Sequence, residues 1–215
     1  MKKRLRHQVL VQGAAAGRRP CSIGHLSATA SAVLASAVPA EAHEVLGFTG
    51  FASLVVHPLV EIELLLCLLA LALVVGAGGR IALGPVVLAA ATFGTAVGVA
   101  LQPSAMLVPG LWRLPLMVAV MLGALVAAGC RSGSGTAVVA ALAAGTMVGL
   151  GLVRERPGLI GALEVTAGAV IAIGAVVLAL GLPLALLRRR HGTLAMQIAA
   201  AWIVAIGLLG LVAPR

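Results

Sequence analysis

The sequence predicts an all-α membrane protein, a bundle of about six transmembrane helices that follows an N-terminal leader. Of the 215 residues, 61% are hydrophobic and 10% are charged, with a mean hydropathy of +1.16. A soluble domain has roughly 45–50% apolar and roughly 25% charged residues. Only 2% of the residues are aromatic, whereas an outer-membrane barrel needs aromatic girdles and alternating polarity. Continuous apolar runs therefore favour helices, which satisfy their own backbone in lipid.

Residues 1–42 are typical of a secretory leader. Six of the 15 basic residues lie in the first 19 positions, and a modestly apolar stretch, Ile23–Val38, follows them. Ala40-Glu41-Ala42 fits the small-x-small pattern of a cleavage site. Cleavage after Ala42 would leave His43 as the new N-terminus. Because the apolar stretch is weak, a retained N-terminal membrane segment is the alternative interpretation.

Six candidate spans lie in residues 43–215, the predicted transmembrane domain. Each approaches the ~20 residues that cross a bilayer core, and each ends near glycine, proline or arginine. The fifth span is long enough to tilt, or to break near Gly181-Leu182-Pro183. The spans are Leu59–Gly78, Ile81–Leu101, Leu111–Gly129, Thr136–Val153, Leu159–Leu187 and Thr193–Val212.

Glycines recur at helical spacing inside two of these spans. Gly94 and Gly98 form one small-xxx-small pair, and Gly145 and Gly149 form another. Such pairs let two helix backbones approach closely, so the sequence predicts tight helix packing at both.

The formal net charge of +9 is interpreted as a topology signal. The basic residues are not interleaved with aromatic residues, so no nucleic-acid partner is expected. Lys/Arg bias sets the orientation of membrane proteins, and an exported leader places five arginines inside against four outside. This distribution predicts a multi-pass protein of the bacterial inner membrane, with its mature N-terminus outside and the lipid bilayer as its first partner. The inside set is Arg80, Arg131, Arg188, Arg189 and Arg190, and the outside set is Arg113, Arg154, Arg156 and Arg215.

Ionisable residues inside spans are costly and therefore indicate function. On a helix, His57 and Glu61 share one face, and Glu63 and Cys67 share a roughly opposite face. Glu164 lies near the start of the fifth span, which enters the membrane from the same side as the first. Two or three carboxylates are therefore expected to meet in the outer half of the bundle.

An imidazole beside carboxylates suits a borderline divalent ion such as Ni²⁺, Zn²⁺ or Co²⁺, and carboxylates alone can relay protons. The structural alternative is that Glu61 and Glu63 are hydrated near the headgroups, with His57 starting a helix just before Pro58. Glu164 would then form a hydrogen bond with a neighbouring helix, and Cys67 would be a packing residue. The sequence contains no nucleophile–base pair, P-loop, dinucleotide fingerprint or haem motif, so it predicts neither an enzyme nor a permanently bound cofactor.

Several short stretches resemble the HupE/UreJ family, the hydrogenase and urease accessory membrane proteins regarded as nickel or cobalt permeases. They are Ala42-His43, Gly47-Phe48, Gly50-Phe51, His57-Pro58-Leu59 with its leucine-rich helix, and Gly78-Gly79-Arg80. The resemblance implies a cleaved leader and six helices.

The family motif His-Pro-Leu-x-Gly-x-Asp-His-Leu-Leu-Ala-Met matches only in part. Five residues of this chain match the motif: His57, Pro58, Leu59, Leu65 and Leu66. Glu61 replaces Gly, Glu63 replaces Asp, Leu64 replaces the second His, and Cys67 replaces Ala. Later family histidines correspond to Val148, Leu152 and Val170. The chain is similar to a diverged member that lacks most of the family's histidines.

The resemblance implies a permease that transiently binds Ni²⁺, or Co²⁺ or Zn²⁺, with urease or hydrogenase maturation proteins as partners. Its metal site would consist of His43, His57, Glu61, Glu63, Cys67 and Glu164. Two alternatives stay open. One is a non-transporting scaffold or assembly factor of the same fold, and the other is a proton-coupled small-molecule transporter that uses the three carboxylates.

Overall fold

Every regular element in the described part of the chain is a helix, which confirms the predicted all-α class. The computed structural model describes residues 50–78, 84–105, 110–130, 133–152, 158–191 and 193–213. All of them belong to one compact unit, Ala37–Arg215. The predicted leader, residues 1–42, and the predicted ligand His43 lie outside the described residues.

Eight α-helices are found within these ranges. They are α1 Phe51–Val60, α2 Ile62–Gly78, α3 Gly84–Ala105, α4 Leu114–Ala127, α5 Ser134–Leu152, α6 Leu159–Val176, α7 Leu182–His191 and α8 Leu194–Val212. A 3₁₀ turn, Leu111–Arg113, leads into α4, and a π-helical segment, Val177–Gly181, joins α6 to α7.

The number of membrane spans is lower than the predicted six. In the described ranges four segments are long and apolar enough to cross a membrane: Gly84–Gln102, Ser134–Leu152, Leu159–Arg188 and Leu194–Val212. The pair α1 and α2 adds a fifth only if taken together, because it is bent by 78°. Helix α4 has 14 residues, about 21 Å at 1.5 Å per residue, which is shorter than the ~30 Å hydrocarbon core. The predicted third span is therefore shortened by the 3₁₀ turn at its start and by Gly129, with φ 70°, at its end.

Helix α2 lies at the centre of the bundle. It packs against α4, α5, α7, α8 and the π-helical segment. Its buried side chains point in all directions around its axis, and Cys67, Leu68, Ala70, Leu71 and Val74 are fully buried. A helix that is apolar all round is buried on every side, so α2 positions the helices that surround it.

Helices α3 and α5 form the closest pair. An added Cβ at Gly94 or Gly98 would collide with a backbone carbonyl oxygen of α5, and an added Cβ at Gly145 or Gly149 would collide with one of α3. Gly94 faces Leu142 and Gly98 faces Thr146; since these numbers rise together, the two helices are parallel. The structure confirms the packing predicted from the two small-xxx-small pairs.

The threonines of this α3–α5 seam are satisfied within their own helices. Thr95 Oγ1 donates to Ala91 O at 2.9 Å, and Thr146 Oγ1 donates to Leu142 O at 2.8 Å. These bonds leave the facing surfaces free of unsatisfied hydroxyl groups, and the glycine contacts can close without a polar penalty.

Candidate functional site

A break between α1 and α2 is the main irregularity near the predicted site. Glu61 has φ −74° and ψ 113°, an extended conformation between two helices. Its N–H donates to His57 O at 3.0 Å, and its own carbonyl accepts from Leu65 N–H at 2.9 Å. Glu61 therefore ends one helix and starts the next. Non-helical backbone at membrane depth occurs where it is buried in protein or lines a cavity, and broken helices form ion sites in many transporters.

The sequence did not predict this break. A first span starting at Leu59 placed Pro58 at the first helical position, but Pro58 lies inside α1 and is buried. The interpretation of His57 as the residue that starts a helix was wrong, because His57 lies in the last turn of α1. A partial negative charge at a helix C-terminus favours a cation there, and His57 lies at such an end.

His57 and Glu61 form a pair, as their spacing predicted. His57 Nε2 lies 3.0 Å from Glu61 Oε2, and the side chains are 24% and 39% exposed. The pair is thus partly open to the exterior of the bundle. One imidazole nitrogen and one carboxylate oxygen lie side by side at the helix break.

Glu63 lies on another side of α2. Its side chain is buried, 7% exposed, in the first turn of α2, where the helix N-terminus stabilises a negative charge. It lines a cavity of about 170 Å³ between α2, α4 and α8. The other lining residues are apolar or glycine: Ile62, Leu66, Leu116, Ile206, Gly210 and Ala213.

Glu164 lies in a different seam, between α6 and α1. Gly168, one turn later on the same face of α6, packs so closely on α1 that an added Cβ would lie 2.8 Å from Leu54 Cβ. Leu54, Val99 and Val165 form a small buried cluster at this junction of α1, α3 and α6. Glu164 is 8% exposed, and its Oε1 is buried without a hydrogen-bond partner.

The structure brings together only part of the predicted metal set. Within the described ranges, no group of three or more His, Cys, Asp or Glu side chains lies close enough to hold a metal ion. His57 and Glu61 are paired, whereas Glu63 and Glu164 occupy separate seams and do not meet as expected. Cys67 is fully buried in the apolar cluster around α2.

Three buried polar residues of the described chain were not predicted from the sequence: Thr95 in the α3–α5 seam, and Ser53 and Gln102. Ser53 and Gln102 are 3% and 2% exposed. Ser53 precedes Leu54, and Gln102 follows Val99 by three residues on the same face of α3, so both are close in sequence to the cluster beside Glu164. The predicted second span ended at Leu101, just before Gln102 and Pro103, yet α3 continues to Ala105. A glutamine at the end of an apolar run was the available signal.

Comparisons of the chain with protein-family models, with curated proteins and with solved structures found no match. The resemblance of residues 43–80 to the HupE/UreJ family remains an expectation from sequence. The structure itself supports a multi-pass, all-helical membrane protein, and function must follow from the geometry of its polar groups.

Proposed function

We propose that this chain is a HupE/UreJ-like permease for a divalent metal ion, Ni²⁺ being the first ion to test, in a bacterial inner membrane. The observation that supports the proposal is the His57–Glu61 pair at the break between α1 and α2. The chain's Lys/Arg distribution suggests an exported N-terminus, which places this break near the outer face. Urease or hydrogenase maturation proteins are the proposed recipients of the ion.

The chemistry of the pair suits transient binding of such an ion. An imidazole nitrogen and a carboxylate oxygen are donors that nickel, cobalt and zinc accept. The last carbonyl groups of an interrupted helix lose their intrahelical partners, and unwound backbone of this kind supplies further ligands in transporters. Two side chains with backbone oxygens bind weakly, which a permease needs because an ion must leave as readily as it enters.

The other predicted ligands take different roles in the proposal. His43, which precedes the described residues, would capture the ion first, and Glu63, in the first turn of α2, would attract it inward. Cys67 is assigned to packing, because its fully buried thiol lies among apolar side chains.

Nickel uptake into proteoliposomes tests the proposal. His57→Ala and Glu61→Gln are each expected to lower uptake at least about tenfold, since each removes a direct ligand and even indirect partners of metal ligands are worth that much. Cys130→Ser is the matched control, because Cys130 is exposed at the far end of α4, and it should transport like the unaltered chain.

Uptake by the unaltered chain no greater than that of protein-free liposomes would remove the permease function, and unchanged uptake in both site variants would remove the His57–Glu61 pair as its site. Absence of metal binding to the purified protein, together with a maturation protein recovered by crosslinking, would instead support the scaffold alternative. Uptake of a small molecule driven by a proton gradient, without metal, would support the third.

A further inference from the structure

Glu164 is the one ionisable residue in the sequences of α3, α5 and α6. A charged or ionisable side chain inside a membrane span is costly, so it is generally paired, solvated or functional. Glu164 is 8% exposed, and its buried Oε1 accepts no hydrogen bond. The protein thus maintains a carboxyl oxygen without a donor at a position where apolar packing would be more stable.

The helices that pack against α6 near Glu164 carry two buried neutral polar residues. Ser53 on α1 directly precedes Leu54, and Gln102 on α3 follows Val99 by three residues. Leu54 and Val99 form a buried cluster with Val165, the neighbour of Glu164. The side chains of Ser53 and Gln102 both carry a neutral oxygen. Helices α3 and α5 contribute no ionisable group, and α1 contributes His57, which is paired with Glu61.

We propose that Glu164 binds a small monovalent metal cation, Na⁺ being the first to test, in the seam between α1, α3 and α6, at a site separate from the His57–Glu61 pair. A single carboxylate, on a helix whose close neighbours α1 and α3 contribute neutral buried polar side chains, matches one positive charge. Hard oxygen donors suit alkali and other hard ions rather than the softer metals that prefer imidazole or thiolate. The cation supplies the positive charge that balances the negative charge of the buried carboxylate.

Helix α1 connects the two sites. Its Leu54 packs directly over Gly168 on the face of α6 that carries Glu164, and its last turn carries His57. With the cation bound, the seam is electrically neutral and α1 stays packed. Without it, hydration of the carboxylate favours displacement of α1 about the extended Glu61. On the proposed function, this movement couples the monovalent cation to uptake of the divalent ion, because one mobile half-helix takes part in both sites.

Thermal unfolding of the detergent-solubilised full chain tests the site without any divalent metal. Replacing choline chloride by NaCl at constant ionic strength is expected to raise Tm by roughly 2–4 °C once sodium exceeds its Kd a few times. Glu164→Gln should abolish this shift in Tm. Glu63 is the other buried carboxylate of the described helices, and the control variant Glu63→Gln should keep the shift.

A Tm that does not respond to sodium, or a sodium response that survives Glu164→Gln, overturns the proposal. Should Glu164→Gln fail to fold by circular dichroism, Glu164→Asp keeps the charge and moves the oxygens, and it must then require more sodium for the same shift in Tm. An unchanged sodium titration also overturns the proposal. Because the readout needs no nickel, a chain that responds to Na⁺ but moves no Ni²⁺ would disprove only the proposed permease function.

Discussion

The α3–α5 pair and the α1–α2 pair show two ways of using a helix in a membrane. Helices α3 and α5 contain no ionisable residue, and four glycines bring their backbones into contact. Helices α1 and α2 meet at 78° through an extended residue and carry His57, Glu61 and Glu63 within seven positions. The relative position of α3 and α5 is tightly constrained, because their backbone atoms are in direct contact. The second pair places three polar groups at a break in the helix, so the proposed ion site lies where helical continuity is lost.

The largest expected effect is on the glycine-packed pair. Gly145→Ala would place a Cβ against the backbone carbonyl of Ala91, and neither helix can move a backbone atom without separating from the other. Overpacking of this kind costs about 2–3 kcal/mol, measured as a lower Tm and a broader size-exclusion profile.

Gly135→Ala is the matched control on the same helix. An added Cβ at Gly135 meets nothing within 4 Å, and loss of glycine flexibility stabilises a helix by about 0.5 kcal/mol. If the two variants had equal stability, the close packing of α3 on α5 would not be what holds this half of the protein together.

An intermediate effect is expected at the end of α2 opposite the break. Arg188 on α7 donates a hydrogen bond from its guanidinium to the carbonyl of Ala77 in the last turn of α2. A cation at a helix C-terminus is stabilising, and a partly buried hydrogen bond to a charged group is worth about 1–2 kcal/mol. Arg188→Ala should lower stability by that amount in chemical unfolding.

Arg188→Lys sharpens the same measurement. It keeps the charge near the helix end but loses the planar guanidinium, so part of the stability should return. A lysine variant as unstable as the alanine variant would show that shape rather than charge fixes this end of α2.

The smallest effect on stability is expected at the break itself. The His57–Glu61 pair is partly exposed, and pairs of this kind contribute about 0–1 kcal/mol. His57→Gln should therefore leave Tm within about 2–4 °C of the unaltered chain while nickel uptake falls. A loss of stability comparable to that of Gly145→Ala would mean that the pair holds the fold together instead of serving the site.

The sequence predicted the features that depend on composition and on helical spacing. Apolar runs predict helices, and residues four apart share a face, so the membrane class, the glycine seam and the His57–Glu61 pair followed from local rules. Helix ends were predicted from glycine and proline. These predictions were wrong where tertiary packing determines where a helix ends. Pro58 lies inside a helix, and α3 continues past Gln102.

Convergence of the carboxylates could not be predicted for a different reason. Whether Glu63 and Glu164 meet depends on the rotation of α2 and α6 about their axes, which no local pattern specifies. In the structure α2 presents Glu63 to α4 and α8, while α6 presents the Glu164 face to α1. The 78° bend adds to this rotation, because it takes α1 away from the axis that a single straight span would have followed.

The π-helical segment Val177–Gly181 has a consequence for how α6 and α7 divide their neighbours. A π turn contains one residue more than an α turn, and one residue corresponds to roughly 100° of rotation. Before the segment, α6 packs against α1, α3 and α5; after it, α7 packs against α2, where Arg188 reaches Ala77. Deleting one residue there would turn Arg188 away from α2 while the rest of the 30-residue span, Leu159–Arg188, stayed helical. The extra residue of the π turn rotates the face of the helix, so that one continuous span packs first against α1, α3 and α5 and then against α2. In an alignment of relatives, this is where a one-residue gap would be expected.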